Sequence, residues 1–193
     1  MADPAPSPLG ENDKQSIEAV LGFWFVENGP EQWFKKDAAF DDGIRERFES
    51  LVEKASAGDL SHWRVTARGC LAEIIILDQF PRNLYRDDAR AFASDPVALE
   101  AAKESLEKKF DESLSESERT FLYLPFEHSE AAEDQETSIR LFGTLSDPSM
   151  LEWAEKHKVI IDRFGRYPHR NAVLGRPSTD AELAYLEEED SSF

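Results

Sequence analysis

LAEIIILDQFPRNLYR, residues 71–86, is the stretch that decides the predicted fold of this chain. Its first ten residues are apolar in almost every helical direction, a pattern typical of a helix buried inside a multi-helix protein. Glu73 and Asp78 interrupt this apolar run, and an ionised carboxylate in a protein core is costly unless it is paired and hydrogen-bonded. We therefore expect cationic partners close to both carboxylates.

The predicted helix has an abrupt polar end, and a second copy of that end follows later in the chain. We expect Pro81 to close the helix, which places Asp78 in the last turn, where a negative charge opposes the helix dipole. The stretch VIIDRFGRYPHRN, residues 159–171, has Asp162 at the position that matches Asp78, followed by a Phe, a Pro and an Arg-Asn pair. Two interpretations stay open: a duplicated structural helix end, or two halves of one polar site.

The charge distribution narrows the classes of partner. A chain of 193 residues suits one sizeable domain, and its formal net charge of −18 argues against nucleic acid, since backbone binding needs a basic surface. Residues 163–176 invert this balance locally, with four arginines, His169 and no acidic residue. That window indicates either a site for a small anion or internal pairing with the many carboxylates of the chain.

Cysteine usage and the two ends of the chain bear on its location. Cys70 is the only cysteine, so no internal disulfide forms and a reducing compartment is expected. The first residues lack the apolar segment of a secretory signal, and no apolar run approaches membrane-spanning length. We predict a cytoplasmic protein that does not bind membranes, with a flexible lead-in over residues 1–12, a single all-helical domain over residues 13–189 and a solvated tail over residues 190–193.

Helical periodicity continues along the rest of the chain, and no stretch alternates in the manner of a strand. Predicted helices cover residues 13–26, 37–57, 66–80, 95–110, 115–126, 130–145 and 147–165, and a last one starts at residue 179. We assign N-caps to Asp13, Asp95 and Ser129, and expect Pro125 to interrupt its helix. Trp33 and Phe34 form an aromatic anchor in a connection. The predicted fold is all-α, with about eight or nine antiparallel helices in a curved bundle or short superhelix.

Histidines beside acids are the candidates for proton transfer. His128 lies between Glu127 and Glu130, whose carboxylates would raise its pKa and suit it to acid–base work. His169 follows a proline in a loop, where ligand contacts gather. His157 shares a helix face with apolar side chains, so it is either a core histidine or a ligand-binding one. The candidate catalytic residues are His128, His169 and Glu127.

Arginine and asparagine side chains next to these acids are the candidates for ligand binding. A guanidinium group binds a carboxylate or phosphate through two points, and an amide orients a neighbouring group. The candidate ligand-binding residues are Asp78, Arg82, Asn83, Arg86, Glu130, His157, Arg166, Arg170 and Asn171. The alternative is a buried ion-pair network that fixes helix ends.

Other chemistries lack a matching pattern. The spacing of the acids and histidines fits neither the di-iron nor the zinc signature, so no metal site is predicted. Cys70 and Ser129 have no nucleophile motif around them, and the nine glycines are scattered rather than gathered in a phosphate loop. The sequence names no cofactor.

Long motifs give the chain a specific resemblance to the bacterial family known as domain of unknown function 924. They are VLGFWF, LAEIIILDQFPRNLYR, FLYLPFEHSE with Gln135, and RFGRYPHRN followed by LGR, and together they span about residues 20–186. The resemblance implies an all-α fold similar to tetratricopeptide-repeat-like superhelices. It brings no established reaction.

Two functions of different class fit these observations. The first is binding of a small anion, with or without catalysis, which requires Asp78, Arg82, His128, His169 and Arg170 to converge in one enclosed pocket. The second is a helical scaffold for a peptide or protein partner, which requires an open groove of exposed apolar residues.

Overall fold

The apolar stretch of the sequence forms the centre of the fold. In the computed structural model, which describes residues 9–33, 35–188 and 191, helix α4 (Ala67–Ile74) continues through a π-helical turn (Ile75–Gln79) into α5 (Phe80–Leu84). Every side chain of residues 69–81 is buried. The prediction of a fully buried central helix is therefore confirmed.

The other helices surround this centre. They are α1 (Glu11–Gly22), which ends in a second π-helical turn (Phe23–Glu27), α2 (Pro30–Trp33), α3 (Ala38–Ser56), α6 (Asp95–Glu107), α7 (Glu116–His128), α8 (Ala132–Phe142), α9 (Pro148–Phe164) and α10 (Asp180–Leu186). Helices α1, α3, α6 and α7 contact the central segment, α8 packs on α7, and α9 packs on α8. With α4, its π turn and α5 taken as one, the described residues form nine helices and no strand, which confirms the all-α prediction. The superhelical arrangement stays a prediction.

The ends of the chain differ in detail from the expectation. Helix α1 begins at Glu11 with Gly10 as its N-cap, so Asp13 is not the cap. The Asp13 carboxylate instead accepts a hydrogen bond from Trp63 Nε1 at 3.1 Å. Ser191 is buried, and its hydroxyl donates to the carbonyl of Leu186. The predictions for residues 1–8, for Phe34 and for residues 189, 190, 192 and 193 lie outside the described residues.

The two prolines expected to end helices do not end them. The Phe80 N–H bonds to the carbonyl of Ile75, five residues back, so this turn is wider than an α-helical turn. Pro81 then falls in the first turn of α5, where a missing N–H costs little. Pro125 lies inside α7, which continues to His128. Asp78 is therefore in the middle of a continuous helix rather than in its last turn.

Two predicted N-caps have other roles. Asp95 is the first residue of α6 rather than its cap, and it forms an ion pair with Arg82. Helix α8 begins two residues later than predicted, with Ala131 at its N-cap position, and Ser129 Oγ accepts from the Ala131 N–H and donates to Asp134. The side chains of Asp37, Ser115, Asp147 and Thr179 cap α3, α7, α9 and α10, each by accepting a hydrogen bond from the first turn of its helix.

The buried Glu73 has the cationic partner that its burial requires. Arg64, from the 3₁₀ turn Ser61–Val65, donates to Glu73 through Nε at 2.7 Å and Nη2 at 3.0 Å. The turn reaches the helix because Gly69 has no side chain: a Cβ there would lie 2.2 Å from the carbonyl oxygen of Trp63. This ion pair fastens the start of the central helix to the preceding turn.

No helix in the described ranges combines the length and the apolar composition needed to cross a membrane.

Replacing Glu73 by alanine should destabilise the fold strongly. Arg64 would stay buried with only the more distant Glu104 as its counter-ion, and a stranded buried charge costs about 3 kcal/mol in unfolding free energy, measurable by urea denaturation. Glu18→Ala is the matched control, because Glu18 has the same two-point contact with the exposed Arg68, and it should cost less than about 1 kcal/mol. Equal losses in the two variants would contradict this account of the buried pair.

Candidate functional site

A cavity of about 750 Å³ lies beside the end of the central helix. Its walls are formed by side chains from both halves of the chain. They come from the connection after α2, the π turn and α5, the 3₁₀ turn Ala89–Ala91, helices α7, α8 and α9, and the 3₁₀ turn Pro168–Arg170. This volume is in the range of small-molecule sites. The cavity therefore gathers segments that are far apart in the sequence.

Most of the predicted site residues meet in this cavity. Its lining includes Arg82, Asn83, Arg86, Glu127, His128, His157, His169 and Arg170. Asp78 is fully buried directly behind His128. Of the five residues that the small-molecule hypothesis requires in one pocket, Arg82, His128, His169 and Arg170 line this cavity and Asp78 lies behind it.

Asp78 and His128 form a hydrogen-bonded pair at the floor of the cavity. The distance from His128 Nδ1 to Asp78 Oδ1 is 2.7 Å, and Gln79 Nε2 donates to the other carboxylate oxygen at 2.6 Å. Burial raises the pKa of Asp78, but the charge of Arg82 and the hydrogen bonds from His128 and Gln79 outweigh burial and hold it below its usual range. Asp78 is thus an ionised acceptor inside the core.

The protonation state of His128 follows from its surroundings. Burial and the charge of Arg82 lower the pKa of His128, and together they outweigh the opposing effect of Asp78. The imidazole is therefore neutral at neutral pH, and the expectation that flanking carboxylates raise its pKa is not met. Because Nδ1–H donates to Asp78, the lone pair is on Nε2, which leaves this nitrogen as a base.

Two arginines share one carboxylate above this pair. Arg82 donates to Asp95 through Nη1 at 2.8 Å and Nη2 at 3.0 Å, and its Nη1 also lies 3.3 Å from Asp78 Oδ1. Arg170 Nη1 lies 3.4 Å from Asp95 Oδ2 and donates to the carbonyl of His128 at 3.1 Å. The Pro-Arg elements of both sequence copies therefore meet at Asp95. The acids of the two copies do not, since Asp162 is exposed and pairs with Lys158.

Glu127 and His157 are a second acid and imidazole in the lining. Burial raises the pKa of Glu127 to about 8, with a further contribution from Asp78. Burial lowers the pKa of His157 to about 3, although its hydrogen bond from Nδ1 to the Trp153 carbonyl acts in the opposite direction. Their closest approach, 3.5 Å between Glu127 Oε1 and His157 Nδ1, therefore joins two neutral groups at neutral pH. Glu127 is a protonated carboxylic acid beside a neutral base.

Three further lining residues differ in what they contact. Burial and the charge of Arg170 lower the pKa of His169 to about 4, so His169 is also neutral. Arg86 and Asn83 both donate to the carboxylate of Asp41, with donor–acceptor distances of 2.8 Å. Both side chains line the cavity, but each already donates hydrogen bonds to a protein carboxylate.

Besides the buried Asp78, three predicted ligand-binding residues lie outside the lining. Glu130 accepts from Arg176 and from the backbone N–H of Tyr167, and Arg166 forms a two-point ion pair with Glu182. Asn171 bonds Ser178 and Arg176. Internal pairing thus accounts for most of the arginine-rich window, and Arg170 is the arginine of that window that faces the cavity.

The prediction from the sequence did not include several residues that line the cavity or pair with its lining. Asp95 gave only a helix-start signal, although an acid near an arginine-rich loop is a reasonable counter-ion. Lys35 and Lys36 are not among the predicted site residues, although two adjacent lysines in so acidic a chain are a detectable signal. The apolar walls, from Phe92, Phe142, Met150, Trp153 and Trp33, had no signal that separated them from core residues.

No group of three or more His, Cys, Asp or Glu side chains in the described part of the chain is arranged to hold a metal ion.

Comparisons with known proteins agree with the resemblance seen in the sequence. Residues 20–190 match the model of a family described as "Bacterial protein of unknown function (DUF924)". The solved structure of the protein of unknown function ATU0120 from Agrobacterium tumefaciens is similar to this fold, with a TM-score of 0.86 and 40% sequence identity over 90% of this chain and 98% of that one. No curated protein matches the chain.

The protonated state of Glu127 predicts a pH-dependent gain in stability for Glu127→Gln. With a pKa of about 8 in the folded protein and an ordinary value of 4.5 when unfolded, Glu127 keeps its proton only in the folded state between these pH values. Wild-type stability therefore falls as pH rises through this range. The uncharged glutamine does not respond to pH, so the difference in unfolding free energy should move in favour of the variant by at most about 1.4 kcal/mol per pH unit.

Urea denaturation at a series of pH values measures this difference, and the histidine contributions are common to both proteins. Infrared spectra near neutral pH give a direct reading, because the band of a protonated buried carboxyl should be present in the wild type and missing from Glu127→Gln. A stability difference that stays constant between about pH 5 and 8, together with identical spectra, would show that Glu127 is ionised.

Proposed function

We propose, for a chain that belongs to the DUF924 family of bacterial proteins of unknown function, that the cavity binds a small organic anion and that His128 transfers a proton to or from it. The observation behind this proposal is the Asp78–His128 hydrogen bond at the cavity floor. A neutral imidazole held by a buried carboxylate is a common arrangement for a general base.

The charge of the cavity supports an anionic ligand. Five cationic side chains line it, Lys35, Lys36, Arg82, Arg86 and Arg170. The aspartates that face or support the lining are Asp87, Asp41, Asp78 and Asp95, while Glu127 is protonated. A small excess of positive charge remains, in a chain whose net charge is −18. A local excess of cations in a concave site attracts an anion that the rest of the surface repels.

The proton transfer uses groups already in place. His128 Nε2 accepts a proton from an O–H or activated C–H bond of the ligand, whose bonding electrons stay on the ligand. Asp78 stabilises the imidazolium cation that results. Glu127, which is protonated, supplies a proton to a second ligand atom, so acid and base are both present before the ligand binds.

The scaffold hypothesis has less support in the structure. Among the described residues, the large apolar side chains with the greatest exposure are Val26, Val159 and Leu183, which belong to three different elements. Trp153 is also exposed, but it belongs to the cavity wall. A partner groove needs a contiguous apolar surface, so the cavity favours a small molecule over a protein partner.

Removing one rim charge should weaken anion binding without affecting folding. Isothermal titration of the wild type with inorganic phosphate and a panel of small carboxylates, at matched ionic strength, should identify at least one ligand. Lys36→Gln should lower the affinity for that ligand by roughly threefold to tenfold, which is the effect of removing one nearby, partly screened charge. Lys54→Gln makes the same charge change on an exposed part of α3 away from the cavity and should leave affinity unchanged. Equal effects of the two variants would place the ligand elsewhere.

Proton transfer is tested by isotope exchange, which requires no knowledge of the full reaction. The wild type in deuterated water should exchange an activated C–H of one member of a panel of small oxo and hydroxy carboxylates, followed by proton NMR. His128→Gln should lower that exchange rate by about 10²-fold to 10⁴-fold while binding persists. If ligands bind but neither protein accelerates exchange, the cavity is a binding site without acid–base chemistry.

A further inference from the structure

Arg170 is held rigidly while part of its hydrogen-bonding capacity is unused. The residue is 7% exposed, and both of its hydrogen bonds, to Asp95 and to the His128 carbonyl, come from Nη1. Aromatic rings cover the guanidinium, with the centroid of Phe92 4.7 Å and that of Tyr167 4.5 Å from Cζ. These contacts fix the plane of the group.

The unused part is the edge formed by Nε and Nη2. Nε of Arg170 is buried and has no hydrogen-bond partner in the described part of the chain. The two N–H groups of this edge are spaced to match the two oxygens of a carboxylate. An unsatisfied buried donor destabilises a protein unless something supplies the acceptor.

This same edge binds a carboxylate at five other arginines of the chain. The pairs are Arg64 with Glu73, Arg68 with Glu18, Arg86 with Asp41, Arg90 with Asp88, and Arg166 with Glu182, each with Nε and Nη2 on the two oxygens of one acid. No side-chain carboxylate of the described residues takes this place on Arg170, although the chain is rich in acids.

We infer that the occupant of the cavity is a carboxylate bound through both oxygens to the Nε–Nη2 edge of Arg170, with an apolar body against Phe142, Met150 and Trp153. This inference rests on the proposed function and names its ligand class. The small excess of positive charge suits a monoanion better than a phosphate dianion, and the planar edge offers two donors rather than the several that a tetrahedral group uses. The apolar wall gives the ligand body a surface to bury.

The position of Arg170 also relates the carboxylate to the proposed base. Arg170 Nη1 is bonded to the backbone of His128, so the carboxylate lies beside the residue whose imidazole removes the proton. The reacting bond of the ligand is then close to its carboxylate group.

Matched ligands separate the carboxylate from other anions. Phenylacetate and benzylphosphonate share a benzyl group and differ in the anionic head, whereas acetate keeps the head and lacks the apolar body. Titrated into the wild type at neutral pH and constant ionic strength, phenylacetate should bind at least tenfold more tightly than either of the others. Tighter or equal binding of benzylphosphonate would overturn the carboxylate inference and leave anion binding intact. Failure of all three, and of inorganic phosphate, would overturn the proposed function itself.

Variants of two arginines test the contact. Arg170→Lys keeps the positive charge but loses the planar edge, so phenylacetate affinity should fall at least tenfold. Arg176→Lys makes the same change in the Glu130 and Asn171 network outside the cavity, and should leave affinity unchanged. Equal responses of the two variants would overturn the assignment.

The wild-type protein provides a reading that does not depend on how Arg170→Lys folds. The Nε–H resonance of Arg170, assigned through bonds by NMR, should move downfield when phenylacetate binds, as expected for a new charge-assisted hydrogen bond. Binding of phenylacetate with this resonance unchanged would show that another group holds the carboxylate.

Discussion

The buried carboxylate of Asp78 sets the constraint on which the site depends. An ionised carboxylate with no exposure to water is tolerated only when cations and hydrogen-bond donors replace its hydration. Here Arg82, His128 and Gln79 supply them from the central helix and from the end of α7. Compensation of this one charge therefore joins the central helix to the end of α7 and orients the imidazole between them.

A series of alternating negative and positive side chains leads from Asp78 to the cavity. Arg82 compensates Asp78 and is itself held by Asp95, which in turn contacts Arg170. Each member is fixed by its neighbours, so the groups facing the cavity are in place before any ligand arrives. Preorganisation of this kind reduces the cost of ordering side chains when a ligand binds. The network that stabilises the helix ends and the groups proposed to bind a ligand are parts of one structure, which joins the two interpretations that the sequence left open.

How far the sequence predicts this structure depends on the range of the interaction. The apolar run around Asp78 identified the buried helix, because burial leaves a periodic pattern in neighbouring residues. The helix ends predicted at Pro81 and Pro125 were wrong. The rule that proline ends a helix assumes regular α-helical turns and does not take account of packing that keeps a helix continuous. Asp95 was missed because a local cap signal explained it already. From the sequence, Glu130 and Arg166 are as plausible site residues as Asp78 and Arg170. Which charged side chains are paired with other segments and which face the cavity depends on contacts between segments that are far apart in the chain.

The wide turn at Ile75–Gln79 makes the number of residues in the central helix important for the direction of its side chains. A π-helical turn takes one residue more than an α-helical turn, and each residue of an α-helix advances the side chains by about 100° around the axis. The extra residue therefore rotates the side chains that follow the turn, including Arg82, around the helix axis relative to the side chains that precede it, including Glu73. Shortening this segment by one residue would leave composition and apolar character nearly unchanged, while rotating Arg82 and Asn83 by more than a quarter of a circle away from Asp95 and Asp41. The number of residues in the central helix is as much a part of the cavity as the identity of its side chains.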